Sequence, residues 1–294
     1  MKKLITLAAF ILLLTGCSEA TTFTSNLTDG KTVVASVGNA SISKQDIYEN
    51  LMKENGVNYV LNAALTHIAD NTEIDQEALD ADVKSTEDTW KAFLGDSIDS
   101  YVQAYYGYET FEEYKTEVLV PARKQVLMIN QYIDDNYETL AKQYMFVKAR
   151  LIIVDDQATA VTVLSDLTSE KITFEEAVET YSTDSTNKSN KGEIGLISDL
   201  STCTVDENVV MILPQLSKVG LYSIPVQLST GKYGILDIVE TDKEVLKDQI
   251  DTELKNAEEV VVEAEGYFLK QNNFTVVDEF LKSKIEALYP SYFK

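Results

Sequence analysis

The chain has 294 residues, 45% of them hydrophobic, and 25 Lys and Arg stand against 48 Asp and Glu for a net charge of −23. That balance repels phosphate backbones and anionic lipid surfaces, which excludes nucleic acid as a partner and charge-driven docking on a membrane. A single histidine, His67, excludes any site that needs two imidazoles, and two cysteines exclude a zinc ribbon or a disulfide framework.

The chain opens with Lys2 and Lys3 and an apolar run from Leu4 to Leu14, the n-region and h-region of a secretory signal. The run is shorter than the roughly 20 residues a membrane-spanning helix needs. It ends in Leu14-Thr-Gly-Cys17, which resembles the bacterial lipobox, in which cleavage precedes a lipidated cysteine. Residues 1–16 are therefore expected to be a lipoprotein signal peptide and Cys17 the lipid attachment point. Two acyl chains make such an anchor stable. Cys203 would then be the one unmodified thiol, with no histidine to activate it. Residues 17–32, polar and small, read as a flexible tether.

Val33–Val37 reads as a short strand turned at Gly38-Asn39, and Ser43 with Asp46 as a capping box that starts a helix through Val57, Leu61, Leu65 and Ile68. A second helical stripe is Leu79, Val83, Thr86, Trp90 and Phe93. Thr110 and Glu113 cap a third segment, and one long helix is expected over Ala122, Val126, Ile129, Ile133, Leu140 and Tyr144. Phe146 to Val154 is nearly all apolar or β-branched and reads as a buried strand. Amphipathic segments follow at 157–167 and 174–181, then a strand around Ile194–Ile197, a helix candidate at 206–216, and a hairpin joining Ile224–Leu228 to Ile235–Val239. After Thr241 the helical period returns through Leu246, Ile250, Leu254 and Val261, and again at Phe280, Leu281, Ile285 and Leu288. The expected fold class is α+β: a helical domain formed by N- and C-terminal segments (33–145 and 242–294) with an α/β domain inserted at 146–241.

Four motifs carry a family resemblance. Val34-Ala-Ser-Val-Gly-Asn-Ala-Ser-Ile-Ser-Lys-Gln-Asp-Ile-Tyr looks like an opening strand, turn and helix. Lys148-Ala-Arg-Leu-Ile-Ile-Val looks like a strand usually written Lys-Ala-Ser-His-Ile-Leu-Val. Phe174-Glu-Glu-Ala-Val-Glu-Thr-Tyr-Ser-Thr-Asp184 and Lys191-Gly-Glu-Ile-Gly195 follow in the family's order. The layout resembles the PrsA-like foldases, relatives of SurA-type chaperones, in which a helical chaperone domain is interrupted by a parvulin-type peptidyl-prolyl isomerase domain. The resemblance implies a foldase on the extracytoplasmic face of a bacterial cell membrane, anchored through Cys17 and acting on unfolded or partly folded secreted polypeptides without a cofactor. It also places the departures in the catalytic site. The first family histidine aligns with Leu151 and the second with Gly234, and Asp184 and Ser185 hold the remaining polar positions. The expected site is a degenerate one. Val209, Val210 and Met211 are the nearest candidates for the groups that hold a prolyl ring.

Tyrosine is over-used, with 16 in the chain. Tyr101, Tyr105 and Tyr108 around Phe111 are candidates for a client-binding cleft, because tyrosine joins apolar area to a polar tip at low entropic cost; an aromatic core patch is the competing reading. His67 reads as a structural or solvent-facing side chain. The acidic run Asp70, Glu73, Asp75, Glu77, Asp80 and Asp82 reads as a solvated face that lacks the loop of an EF-hand, so no metal site is expected. Two rivals to the foldase are an active prolyl isomerase with a rearranged site and a solute-binding lipoprotein. The oligomeric state stays open, a dimer included.

Overall fold

The computed structural model describes residues 26–201 and 205–293. Cys17, the expected signal segment before it and Cys203 lie outside the described residues. The fold is α+β, and the chain divides into two compact units, one of 1–64 with 273–294 and one of 65–272.

The elements run β1 (Val33–Val37), β2 (Ala40–Ser43), α1 (Lys44–Asp70), α2 (Gln76–Leu94), α3 (Ile98–Tyr106), α4 (Phe111–Tyr114), α5 (Val120–Asp135) and α6 (Tyr137–Gln143). Then come β3 (Val147–Val154), α7 (Gln157–Thr168), α8 (Phe174–Tyr181), α9 (Ser185–Ser189), β4 (Glu193–Ile197), α10 (Glu207–Val210), β5 (Gly220–Leu221), β6 (Val226–Gln227) and β7 (Tyr233–Glu240). The chain closes with α11 (Lys247–Asn256), α12 (Glu258–Gln271) and α13 (Glu279–Leu288).

In the first unit β1 and β2 form an antiparallel hairpin, and Ser43 opens α1 by exchanging bonds with Asp46, its own N–H donating to the carboxylate at 2.8 Å. Residues 27–32, expected as the end of the tether, are folded instead: Leu27 N–H donates to Gln45 Oε1 at 2.9 Å, Gln45 N–H to Gly30 O at 2.9 Å, and Lys44 pairs with Asp29. The Gln45 N–H bond satisfies a donor that the start of α1 leaves open. α13 packs against α1. A methyl at Gly56 would fall 2.8 Å from Leu281 Cδ2, and Lys284 Nζ donates to Lys53 O at 2.7 Å.

In the second unit, α2, α3 and α4 close over a core of Leu79, Val83, Val102, Phe111 and Tyr114. A π-helical turn over Lys115–Leu119 joins α4 to α5; Pro121 brings no N–H for the α-helical bond to residue 117, and the chain widens just before it. The long helix expected through Tyr144 is two helices, because the backbone of Asn136 leaves the helical region (φ −108°, ψ 11°) and its side chain donates back to Tyr132 O at 2.8 Å. α11 and α12 pack on α5 and α6 through Ile133, Leu140, Ile250, Leu254 and Val260. The acidic run is engaged rather than simply solvated. Asp75 caps α2, Asp70 pairs with Lys124 at 2.7 Å, and Asp82 pairs with Arg123. His67 is exposed on α1.

The sheet is antiparallel throughout, ordered β4-β3-β7-β5 with β6 also on β7. It does not supply the parallel sheets that a solute-binding protein with two Rossmann-like lobes needs. Side chains alternate across it. Ile152, Val154 and Ile235 meet α7 and α8, whereas Leu151, Leu236 and Ile238 meet Val209, Leu213, Leu216 and Leu228 on the opposite face. Thr173 and Glu176 form the capping box of α8. The helix expected over 206–216 is only the single turn α10 and a 3₁₀ turn, since Pro214 cannot continue it. Among the described residues no helix is long and apolar enough to cross a membrane.

Candidate functional site

The sheet face that carries Leu151 opens into a cleft of about 370 Å³. Its apolar wall comes from Leu151 and Ile153 of β3, Ile194 of β4, Val205 and Leu228; its polar wall comes from Asp184, Asn187, Asp206, Thr230 and Lys232.

Asp184, Asn187, Asp206 and Lys232 are each held by a local bond. Asp184 caps α9, accepting from Asn187 N–H at 2.7 Å. Asn187 is buried; its amide donates to Leu151 O at 2.7 Å, and its Oδ1 accepts from Ser182 Oγ at 2.9 Å. Leu151 N–H donates to Gly192 O at 2.8 Å. Gly192 has the left-handed φ of +81°, and a side chain there would meet Val178 and Phe174 within 3 Å, so only glycine closes this turn. Asp206 caps α10 and accepts from Ser229 Oγ at 2.7 Å, which ties the hairpin loop to the opposite wall. Lys232 spans Asp155 at 3.1 Å and Thr183 Oγ1 at 2.9 Å.

The structure separates the expected site residues. Leu151 and Asp184 line the cleft. Ser185, on the exposed first turn of α9, is not among the lining residues. Gly234 is buried beside Leu151: the register pairs Leu151 with Leu236, so Gly234 is its diagonal neighbour on the same face. A methyl at 234 would lie 2.8 Å from Leu151 Cδ1 and 3.3 Å from Leu228 Cδ2. Leu151 therefore occupies the space a side chain at 234 would need. None of Val209, Val210 and Met211 lines the cleft. Val209 is fully buried beneath it and Met211 is 74% exposed, because the single turn of α10 aims them elsewhere. The apolar lining contributed by Val205, Ile194 and Leu228 was not visible in the sequence, since it comes from three separate loops and strands.

The aromatic candidates form a second locus. Trp90 of α2 is its hub, stacked on Tyr114 at 5.4 Å between centroids, 5.8 Å from Phe111 and edge-on to Tyr101 at 6.0 Å. Phe111 is 3% exposed and belongs to the core, so it cannot face a cleft. Tyr101 and Tyr108 are half-buried. Tyr105 is 72% exposed and rests on Tyr101 at 4.7 Å, while the exposed Tyr106 rests on Tyr114 at 4.9 Å. Burial pushes the Tyr114 phenol above its ordinary pKa. Phe93, expected in the buried stripe of α2, is 88% exposed where the helix ends at Gly95. Among the described residues no group of three or more His, Cys, Asp or Glu side chains could hold a metal ion.

Residues 154–240 match the Rotamase family model, the PPIC-type PPIASE domain. That span holds Asp184, Ser185 and Gly234 and begins just after Leu151. No curated protein matches the chain. Among solved structures, the peptidylprolyl isomerase PrsA from Bacillus cereus shares 20% identity over 88% of this chain and 99% of that one, with a TM-score of 0.50. PrsA from Bacillus subtilis shares 22% over 90% and 99% at a TM-score of 0.38, and foldase protein PrsA from Streptococcus pneumoniae shares 21% over 87% and 99% at 0.40. At these identities the likeness speaks to fold, and the Bacillus cereus structure carries it.

Proposed function

We propose that this chain, PrsA-like in fold and carrying a PPIC-type domain at residues 154–240, is an extracytoplasmic foldase that holds unfolded secreted polypeptides and has given up prolyl isomerisation. In this reading residues 33–145 and 242–294 form the chaperone body and 146–241 the inserted domain. The packing of α11 and α12 on α5 and α6, and of α13 on α1, supports that division. Clients would be bound through the exposed rings of Phe93, Tyr105 and Tyr106, with no ATP-binding loop in the sequence to drive release.

One observation carries the chaperone over the isomerase: the contact between Leu151 and the Cβ position of Gly234. An X–Pro bond turns over a barrier of about 18–20 kcal/mol set by amide resonance. Lowering it takes polar groups aimed at the twisted amide in a dry pocket. Here a leucine fills that wall, and the chain's one histidine is on α1. The purified protein should therefore leave the cis-to-trans rate of a Pro peptide close to its uncatalysed value in a protease-coupled assay. It should nonetheless delay aggregation of an unfolded client. Fast exchange abolished by Asp184→Ala would make the protein an enzyme with a rebuilt site instead.

The anchor is proposed from the lipobox-like Leu14-Thr-Gly-Cys17 alone. Cys17→Ala should move the protein out of the membrane fraction or leave its precursor uncleaved. A variant processed and retained like wild type would remove the lipoprotein assignment.

A further inference from the structure

A groove of about 830 Å³ is bounded by β4 and the residues after it on one side and by α11 and the start of α12 on the other. Its size is within the range of ligand-binding clefts, roughly 300–1,000 Å³. Most of its surface is apolar, from Leu196, Leu200 and Ala257, all half-exposed. Among the described residues β4 is an edge strand of the sheet.

The charge around it is sorted. Asp248, Glu253, Glu258 and Glu259 line the groove, and among the described residues no lysine or arginine does. The lysines of α11 point to its other face. Lys247 Nζ sits 3.7 Å above the ring of Tyr137 on α6, and Lys255 pairs with Asp134 of α5 at 2.7 Å and with Asp251 at 2.9 Å. Lys247, Asp251 and Lys255 recur every four residues, which turns them together toward α5 and α6 and leaves Asp248 and Thr252 to the groove. Glu253 is fixed by Ser198 Oγ, which donates to it at 2.5 Å.

We infer that this groove is a second polypeptide-binding surface, and that its occupant is an extended segment in which apolar residues alternate with lysine or arginine. Leucine-sized side chains would cover Leu196 and Leu200 while the intervening cations meet the carboxylates. The inference rests on the foldase reading and gives it a selectivity: this surface prefers basic apolar segments to acidic ones.

The test uses the purified protein and three fluorescein-labelled twelve-residue peptides of alternating Lys and Leu, Glu and Leu, and Lys and Ser. The Lys–Leu peptide should bind at least tenfold more tightly than either of the others, with affinity falling as salt rises. The exposed pair Asp248→Lys with Glu259→Lys should abolish that preference, whereas Asp80→Lys with Glu117→Lys, on α2 and the π-helical turn, should leave it intact. Equal binding of the Lys–Leu and Lys–Ser peptides would reduce the groove to ion exchange and overturn the proposal. So would loss of binding in both charge-reversed pairs, retention in both, or no binding by wild type. The aggregation assay runs in parallel: a groove variant that still delays aggregation, together with failed peptide selectivity, sinks the groove alone and leaves the foldase reading standing.

Discussion

Gly234→Ala should destabilise the protein by about 1–3 kcal/mol, the range for forcing an extra methyl into a packed core. In most strand positions alanine in place of glycine is neutral or helpful, since it removes backbone freedom from the unfolded chain. Here the new methyl would sit 2.8 Å from Leu151 Cδ1 with Leu228 Cδ2 at 3.3 Å on the other side. Leu151 is only 5% exposed and packs among Leu236, Ile238 and Leu213, so it has little room to swing away. The expectation is a coupled pair. Leu151→Ala alone should cost about 2–5 kcal/mol through the cavity it leaves, and adding Gly234→Ala to it should cost nothing further or recover a little. Denaturant melts of the two single variants and the double variant close the cycle. Additive losses would mean that Leu151 does not plug the space beside Gly234, and the physical case for a dismantled catalytic wall would go with it.

This contact shows where sequence reasoning stops. The strand around Leu151 was legible because Phe146–Val154 is almost unbroken apolar sequence, and the capping boxes at Ser43 and Thr173 were legible because helix starts need side-chain acceptors at fixed offsets. That positions 151 and 234 stand next to each other could be suspected only from the family motifs. The contact itself depends on the β3–β7 register, which pairs Leu151 with Leu236, 85 positions along the chain. The cleft's other walls were hidden for the same reason: Val205, Ile194 and Leu228 are unremarkable alone and meet only through the loops that Asp206 and Asn187 tie down. Helical spacing had a different blind spot. It placed Phe93 with Leu79, Val83 and Trp90, but the last turn of a helix has no neighbour to cover it once the chain turns at Gly95. The break at Asn136 is likewise a local choice of one side chain, invisible in the apolar period that continues across it.

The aromatic locus makes the sharpest separation between packing and function. Phe111→Ala or Tyr114→Ala should lower stability by about 3–5 kcal/mol, as expected for removing a buried aromatic side chain, because both lie in the core under Trp90. Phe93→Ser with Tyr105→Ser should leave the melting temperature within a degree or two, since both rings are mostly in water already. If these rings are the client surface, that same pair should shorten the aggregation delay of an unfolded client several-fold, because a chaperone without ATP holds clients only by the apolar area it can cover. The converse outcome is equally specific: a large stability loss in the exposed pair, with client protection unchanged once stability is restored by lower temperature, would put Phe93 and Tyr105 in the fold and the client elsewhere. Tyr101 and Tyr108 lie between these limits. Each is half-buried on the cluster, Tyr101 against Trp90 and Tyr105, and Tyr108 edge-on to Tyr114. Serine at either should therefore cost both stability and protection, and phenylalanine at the same positions should restore the first. Whether it also restores the second decides between a surface that grips clients by area alone and one that also uses the phenolic hydroxyls.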